Sequence, residues 1–465
     1  MSSAVPAPFI DEQEIAEILT HQAAPSAVQV REILAKAKEL KGLDAGEVAA
    51  LTALTDPELM SELYHCAREV KEEIYGPRLV LFAPLYVSNL CANDCTYCAF
   101  RARNKELTRR ALTQEEIAAE VKVLVEQGHK RILLVAGESY PNEGFAYVLK
   151  AVATIYSVKS GRGEIRRVNV NVAPLSVEQF RELKAAQIGT YQLFQETYHR
   201  ESYARVHLSG KKRDYDWRIT AMDRAMEAGI DDVGIGPLLG LYDWRFEVQA
   251  MLQHIRHLEQ TFGFGPHTIS IPRLEPAVGS TIASAPPHAV SDADFCKLVA
   301  ILRLAVPYTG IIMSTRENPE VRRQTFALGV SQISAGSRTN PGGYAEKLEE
   351  QAAQFQLGDH RPTHEVLRDV AGMGYLPSFC TACYRLGRTG QDFMDMAKPG
   401  EIKYHCDPNA LSTFLEYLLD YGSPGMLAEG ETRIKATLER MDDQQRAIST
   451  RLLDAVRSGK RDEFV

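Results

Sequence analysis

Between residues 79 and 334 the chain repeats one rhythm. A short apolar or alternating run is followed by a longer stretch of helical periodicity, and this happens eight times. The runs fall at 79–87, 131–136, 166–172, 190–196, 232–236, 268–272, 310–314 and 330–334. Eight strand–helix units are what a closed (β/α)₈ TIM-type barrel requires, an α/β fold whose parallel strands are joined by helical crossovers. A six-stranded partial barrel with added strands is the alternative. Thr113 with Glu116 and Ser176 with Gln179 read as capping boxes that open two of the helices.

The flanks have a different pattern. Residues 10–75 read as helices, with apolar residues at helical spacing through Ile15, Ile18 and Leu19 and again through Val30, Ile33, Leu34 and Ala37. After 345 helices are expected at 347–356, 363–371, 408–421 and 428–457, and the charged tail 457–465 is expected to fray. The expected organisation is an N-terminal helical extension (1–77), a barrel (78–345) and a C-terminal helical domain (346–465).

Fifty-three basic against 61 acidic residues give a net charge of −8, which argues against nucleic acid as a partner. No apolar run reaches membrane-spanning length, and the first residues lack the basic and apolar regions of a signal peptide. A cytoplasmic, reducing location is the expectation. Eight cysteines in 465 residues do not make a disulfide scaffold. Cys66 and Cys296 lie in helical patterns and read as small buried hydrophobes.

The other six cysteines form two trios. Cys91-Ala-Asn-Asp-Cys95-Thr-Tyr-Cys98 follows the first strand, so it belongs at the C-terminal mouth of the barrel, where active sites are built. Cys380-Thr-Ala-Cys383 is completed by Cys406 after 22 intervening residues, among them Gly387, Gly390 and Gly400, which read as a loop covering something. Three thiolates can hold three irons of a [4Fe–4S] cube and leave the fourth iron open. Structural zinc wants four protein ligands. No fourth ligand adjoins the first trio, the nearest downstream histidine being His129. His405 beside Cys406 keeps a Cys₃His zinc site open for the second.

Val168-Asn-Val-Asn-Val172 alternates strictly, which turns Asn169 and Asn171 toward the barrel interior and implies a polar cavity there, or else a strand with one wet face. Gln192 and Glu196 share a strand face. His267 begins a strand and so belongs at the mouth opposite the first trio, as a metal ligand or a hydrogen-bonded strand end. Arg273, Ser314 and Arg316 end strands at the upper mouth, where an arginine fork suits a substrate carboxylate. Arg316 with Ser314 is favoured for that carboxylate, with Arg273 near cofactor or substrate.

Cys91, Cys95 and Cys98, with Tyr97 before the last, resemble the cluster motif of the radical S-adenosylmethionine (SAM) superfamily. The resemblance implies that the open iron of a [4Fe–4S] cluster chelates SAM and that SAM cleavage yields a 5′-deoxyadenosyl radical. Ala136-Gly137-Glu138 resembles the motif that receives the SAM amino group, with Ala136 in place of a glycine. Val233-Gly-Ile235-Gly236 resembles the strand that lies against adenine. Asn169, Asn171, Glu196 and Arg218 are the remaining candidates around SAM; Arg218 reads equally as a surface arginine.

The second trio and its surroundings, with Asp231–Tyr242, Ser331–Ser337 and Pro341–Tyr344, are similar to the radical SAM tyrosine lyases of [FeFe]-hydrogenase maturation. That resemblance implies cleavage of the Cα–Cβ bond of L-tyrosine to p-cresol and dehydroglycine, and conversion of dehydroglycine to CO and cyanide at a second iron–sulfur cluster. It implies an additional iron there, held with help from His267, with cysteine as a further ligand. It also implies a reducing electron donor and other hydrogenase maturation proteins as partners. The tyrosine lyase of thiazole synthesis, which leaves dehydroglycine intact, and a non-catalytic iron–sulfur carrier are the competing readings.

Overall fold

The computed structural model describes residues 8–21, 23–141, 143–346 and 353–465. All eight expected strands form: β1 (Arg78–Ser88), β2 (Arg131–Ala136), β3 (Arg167–Asn171), β4 (Tyr191–Gln192), β5 (Val233–Ile235), β6 (Thr268–Ser270), β7 (Gly310–Met313) and β8 (Val330–Ser334). Each runs parallel to its neighbour, and β8 returns to β1 through Val80↔Gln332, Leu81↔Ile333 and Phe82↔Ser334, closing a (β/α)₈ barrel. Every residue of β1 is buried, because helices cover its outer face and side chains fill the interior; this is why its sequence is almost continuously apolar.

The fourth strand is shorter than expected. Its run ends in Glu196, whose φ of 75° leaves the extended region. The ladder continues irregularly, with Leu193 and Gln195 donating to the carbonyls of Gly234 and Gly236 at 3.0 and 2.9 Å. Both capping boxes form; Glu116 N–H donates to Thr113 Oγ1 at 3.2 Å and Thr113 N–H to Glu116 Oε2 at 2.7 Å.

Four helices precede the barrel: α1 (Glu12–Thr20), α2 (Ala27–Ala37), α3 (Ala45–Thr52) and α4 (Pro57–Tyr75). α1, α3 and α4 pack on its outer helices Trp244–Phe262 and Asp292–Ala305, with α2 against α3 and α4, and Lys297 Nζ donates to the carbonyls of Thr52 and Leu54, both at 2.6 Å. Cys66 and Cys296 are buried in these helices.

Beyond residue 345 the chain adds to the same sheet. Strand β9 (Leu376–Ser378) runs parallel to the start of β1, through Arg78↔Leu376 and Val80↔Ser378. Val80 also pairs with β8, so β9 occupies the other edge of β1, below β2, at the N-terminal mouth. The helix Lys403–Tyr421 lies across that mouth. Its Glu416 is fully buried and accepts from Arg166 Nη1 at 2.8 Å, with Lys130 Nζ at 3.3 Å, locking the segment to the barrel floor.

Three expectations for this region need correction. The stretch after Cys383 is largely helical, with a 3₁₀ turn at Cys383–Leu386 and a helix at Gly390–Ala397. The single helix expected at 428–457 is two, Pro424–Leu438 and Asp443–Arg457, restarted by the cap in which Asp442 accepts from Gln445 N–H at 2.8 Å. The tail does not fray: Asp462 N–H donates to Glu416 Oε1 at 2.7 Å, and Val465 exchanges two bonds with the Asn409 amide at 2.9 and 3.0 Å. The helix expected at 363–371 forms as Thr363–Gly372. Of the one expected at 347–356, residues 347–352 lie outside the described residues and 353–356 are irregular. No described helix is long and apolar enough to cross a membrane.

Candidate functional site

At the upper, C-terminal mouth β1 hands the chain to a long excursion that returns at Arg110. Asn89 closes its base, donating to Arg110 O at 3.0 Å and Thr108 O at 2.8 Å and accepting from Arg110 N–H at 2.7 Å. Arg109 reaches back inside it, to the carbonyls of Phe100 at 2.7 Å and Asn89 at 3.0 Å. A loop pinned by its own arginine holds Cys91, Cys95 and Cys98 around one cavity, which Gly137, Glu138, Asn171, Glu196 and Arg218 also line. Burial raises all three thiols, Cys98 to about 11, so each keeps its proton until a metal displaces it. Among the described residues no three His, Cys, Asp or Glu side chains converge as a finished cage for one metal ion. Three soft thiols facing a shared cavity, with no further soft ligand beside them, fit a cluster with one open iron.

Beside the thiols lies a charged quartet. Glu138 Oε1 accepts from Arg218 Nη1 at 3.0 Å and Glu138 Oε2 from Asn93 Nδ2 at 2.8 Å. Glu196 bonds Lys212 Nζ at 2.5 Å and faces Arg218 Nη2 at 3.4 Å. Burial pushes both carboxyls up, but the Lys212 and Arg218 charges overcome it and hold them below the ordinary range. Two carboxylates held toward their charged form in a buried pocket suit an ammonium and a ribose. Gly137 is fixed by space: a Cβ there would stand 2.2 Å from Leu90 O, beside Cys91. Tyr97 O–H reaches His207 Nε2 at 2.9 Å; His207 Nδ1 donates to Tyr203 O at 2.8 Å, which leaves Nε2 as the acceptor.

The structure brings most of the expected residues to this cavity and excludes three. Asn171 lines it, one layer above Asn169. Asn169 points inward but is not among its lining residues; its amide oxygen is taken by Arg167 Nε and Thr190 N–H, both at 3.0 Å. Ile235 packs in the outer barrel–helix core, and the strand turns Gly234 inward against Gln192 and Thr268 instead. Arg273 is turned away onto Glu317, with bonds of 3.0 and 3.2 Å from Nε, and onto Asp292 at 2.8 Å. Arg316 and Ser314 do line the cavity. The Arg316 guanidinium lies 3.2 Å from the Phe355 ring centre and, among the described residues, makes no ion pair.

The second trio lies at the opposite mouth. Cys380 follows β9 after Phe379, and Cys380, Cys383 and Cys406 share a small cavity with Arg78, Asn409 and Phe464. Bonding from the Cys383 thiol holds Cys380 and Cys406 below the ordinary thiol value against the push of burial. Nearby cations add to it, Arg131 and Arg167 for Cys380 and Arg78 for Cys406. His267 joins this end, electrostatically coupled to Asp232, Arg167 and Cys380, and burial keeps its imidazole neutral. His267 Nδ1 and Arg131 Nε are buried without a hydrogen-bond partner. A neutral imidazole with an orphaned nitrogen suits iron. His405 does not line this cavity.

Sequence reasoning missed Asn93, Lys212, Arg109, Arg131 and the tail residue Phe464. Lys212 and Asn93 carry no motif, since they meet the site through loop packing. Arg131 was legible in principle, as a cation opening a buried strand.

A model of the radical SAM superfamily matches residues 85–254, and one of the biotin and thiamin synthesis associated domain matches 270–376. The chain is 33% identical over 350 residues to 2-iminoacetate synthase of Escherichia coli K12, covering 75% of this chain and 90% of that one. Among solved structures it is similar to HydG, described as a maturase of the [FeFe]-hydrogenase, with 49% identity, TM-score 0.95 and coverage of 99% and 100%. It is also similar to the FeFe-hydrogenase maturase HydG of Carboxydothermus hydrogenoformans, with 42% identity, TM-score 0.83 and coverage of 95% and 97%.

Proposed function

The chain belongs to the radical SAM superfamily and, within it, to the HydG maturases, and from that premise we propose that it cleaves L-tyrosine at Cα–Cβ and converts the dehydroglycine released to CO and cyanide. Cys91, Cys95 and Cys98 would hold a [4Fe–4S] cluster, and Gly137, Glu138, Glu196 and Arg218 would hold SAM. When bound, these groups supply the 5′-deoxyadenosyl radical. Arg316 is the substrate's carboxylate receptor, because it is the cavity-facing arginine whose charge is not already paired, and Ser314 adds a hydroxyl beside it. Phe82, Tyr86, Leu238 and Phe355 give the cavity an apolar wall that receives the phenol ring and excludes water.

At the lower mouth Cys380, Cys383 and Cys406 would hold a second cluster, with His267 and a cysteine ligand on an added iron. Arg131 and Arg167 supply positive charge where an anionic fragment and cyanide arrive. The product would be an Fe(CO)(CN) unit destined for the hydrogenase. The observation that carries this reading is the placing of two thiol trios at opposite ends of one barrel, each beside fixed cations.

A second reading, a lyase that stops at dehydroglycine, is supported by the similarity to 2-iminoacetate synthase. Anaerobically reconstituted protein incubated with SAM, dithionite and tyrosine, with deoxyhaemoglobin as trap, separates them. Tyrosine-dependent p-cresol with CO supports the two-site reading; p-cresol without CO, on protein carrying both clusters, supports the second.

A further inference from the structure

The chain is acidic as a whole, yet the surface over the first trio is basic. Residues 100–110 carry five basic side chains against one acid, and residues 205–213 carry four against none. Both segments hang on the loop between the cysteines. Ala102 N–H donates to Asn93 O at 2.8 Å, and the Arg103 side chain meets Asp94 at 3.2 Å. From the other side Leu208 N–H donates to Asp94 O at 2.9 Å, Thr96 N–H to Val206 O at 2.9 Å and Lys212 N–H to Asn93 Oδ1 at 3.0 Å.

The charges that face outward are largely uncommitted. Lys105, Lys211 and Arg213 are exposed and make no ion pair among the described residues. The Arg103 side chain is 72% exposed. Leu208, in the same segment as Lys211 and Arg213, is 40% exposed and adds an apolar contact to the cations. Ala92, adjacent to Cys91, is itself exposed, so the loop that carries the first thiols reaches the surface there. Basic side chains concentrated on one face of an acidic protein steer an acidic partner to that face and turn the acidic remainder away.

We propose that the face formed by Arg103, Lys105, Leu208, Lys211 and Arg213 is the docking surface for an acidic one-electron carrier protein of the ferredoxin type. The carrier would pass one electron to the group held by Cys91, Cys95 and Cys98; the carrier is oxidised by one electron and that group reduced by one. The inference rests on the first-trio reading under Proposed function.

The test uses an acidic [2Fe–2S] ferredoxin and the variant Lys105→Glu/Lys211→Glu/Arg213→Glu, which spares the Arg103–Asp94 pair of the cysteine loop, with Leu208→Ser as a second variant that leaves the charges in place. Binding of the ferredoxin to cluster-free protein, followed by biolayer interferometry, should weaken at least tenfold on charge reversal, and also when salt rises from 50 to 200 mM. On loaded protein, SAM cleavage driven by reduced ferredoxin should fall by a similar factor, while cleavage driven by dithionite stays within twofold. Leu208→Ser should weaken ferredoxin binding with little change in its salt dependence. Ferredoxin binding and ferredoxin-driven cleavage that ignore the charge reversal would overturn the docking face alone, and so would an equal loss with both reductants. Wild-type protein that cleaves no SAM with dithionite would overturn the first-trio reading itself.

Discussion

Replacing Arg316 by alanine tests the substrate end of the cavity. Arg316 is largely buried, stacked on Phe355 and free of any ion pair among the described residues, and burial depresses its pKa. An incoming carboxylate would therefore meet an under-compensated cation in a poorly solvated place. Truncating one partner of a desolvated, hydrogen-bonded charge pair costs about 2–5 kcal/mol, and the partly open cavity places this pair at the lower end. A loss of about 2–3 kcal/mol is roughly a 30- to 150-fold rise in the KM for tyrosine. Arg316→Lys keeps the charge but loses the fork, and should fall between wild type and alanine. The assay is p-cresol formation against tyrosine concentration at saturating SAM, with SAM affinity measured in parallel. A tyrosine KM within threefold of wild type, or a loss confined to SAM affinity, would refute the assignment.

Three further outcomes follow from the geometry. Gly137→Ala forces a Cβ to 2.2 Å from Leu90 O, so the backbone beside Cys91 must move; SAM affinity, read by equilibrium binding to the reconstituted protein, should fall at least 100-fold. Glu247, fully buried beneath Thr197 and Tyr198, is raised by burial from 4.5 to about 8. The folded state thus keeps a proton that the unfolded chain releases, and this contribution is complete below pH 4.5 and lost as pH rises to 8. Glu247→Gln should flatten thermal stability across that window relative to wild type; parallel melting-temperature profiles would remove Glu247 from the account. Deleting residues 462–465 removes Asp462 from Arg385, at 2.6 and 2.9 Å, and Phe464 from the second cavity. A chelator should then strip iron from the second site at least tenfold faster, leaving the first site unchanged.

The strands were legible because each had to be apolar on both faces or alternate over a polar interior, a demand that leaves its mark residue by residue. The cysteine trios were legible because soft-metal ligands at short spacing have few other uses. Other features depend on partners distant in sequence. Arg273 and Arg316 sit at equivalent strand ends, and only the presence of Glu317 beside Arg273 decides which one faces the cavity. Asn169 and Asn171 alternate identically, yet Arg167 captures the first. Ile235 and Gly234 lie on opposite faces of one short strand, and only the neighbours Gln192 and Thr268 show which of the two faces inward. The tail looked too charged to be ordered, but its partners Glu416, Asn409 and Arg385 wait beneath the barrel, where no local pattern announces them.

The central claim is that two chemistries occupy opposite mouths of one barrel, and Cys383→Ala tests it most directly. Cys383 lies in the second cavity with both other thiols of its trio, at the mouth opposite the first trio. With SAM, dithionite and tyrosine, the variant should form p-cresol at close to the wild-type rate while CO falls at least tenfold. CO at full yield from that variant, or p-cresol lost in step with CO on protein whose first cluster is intact, would contradict the division of labour.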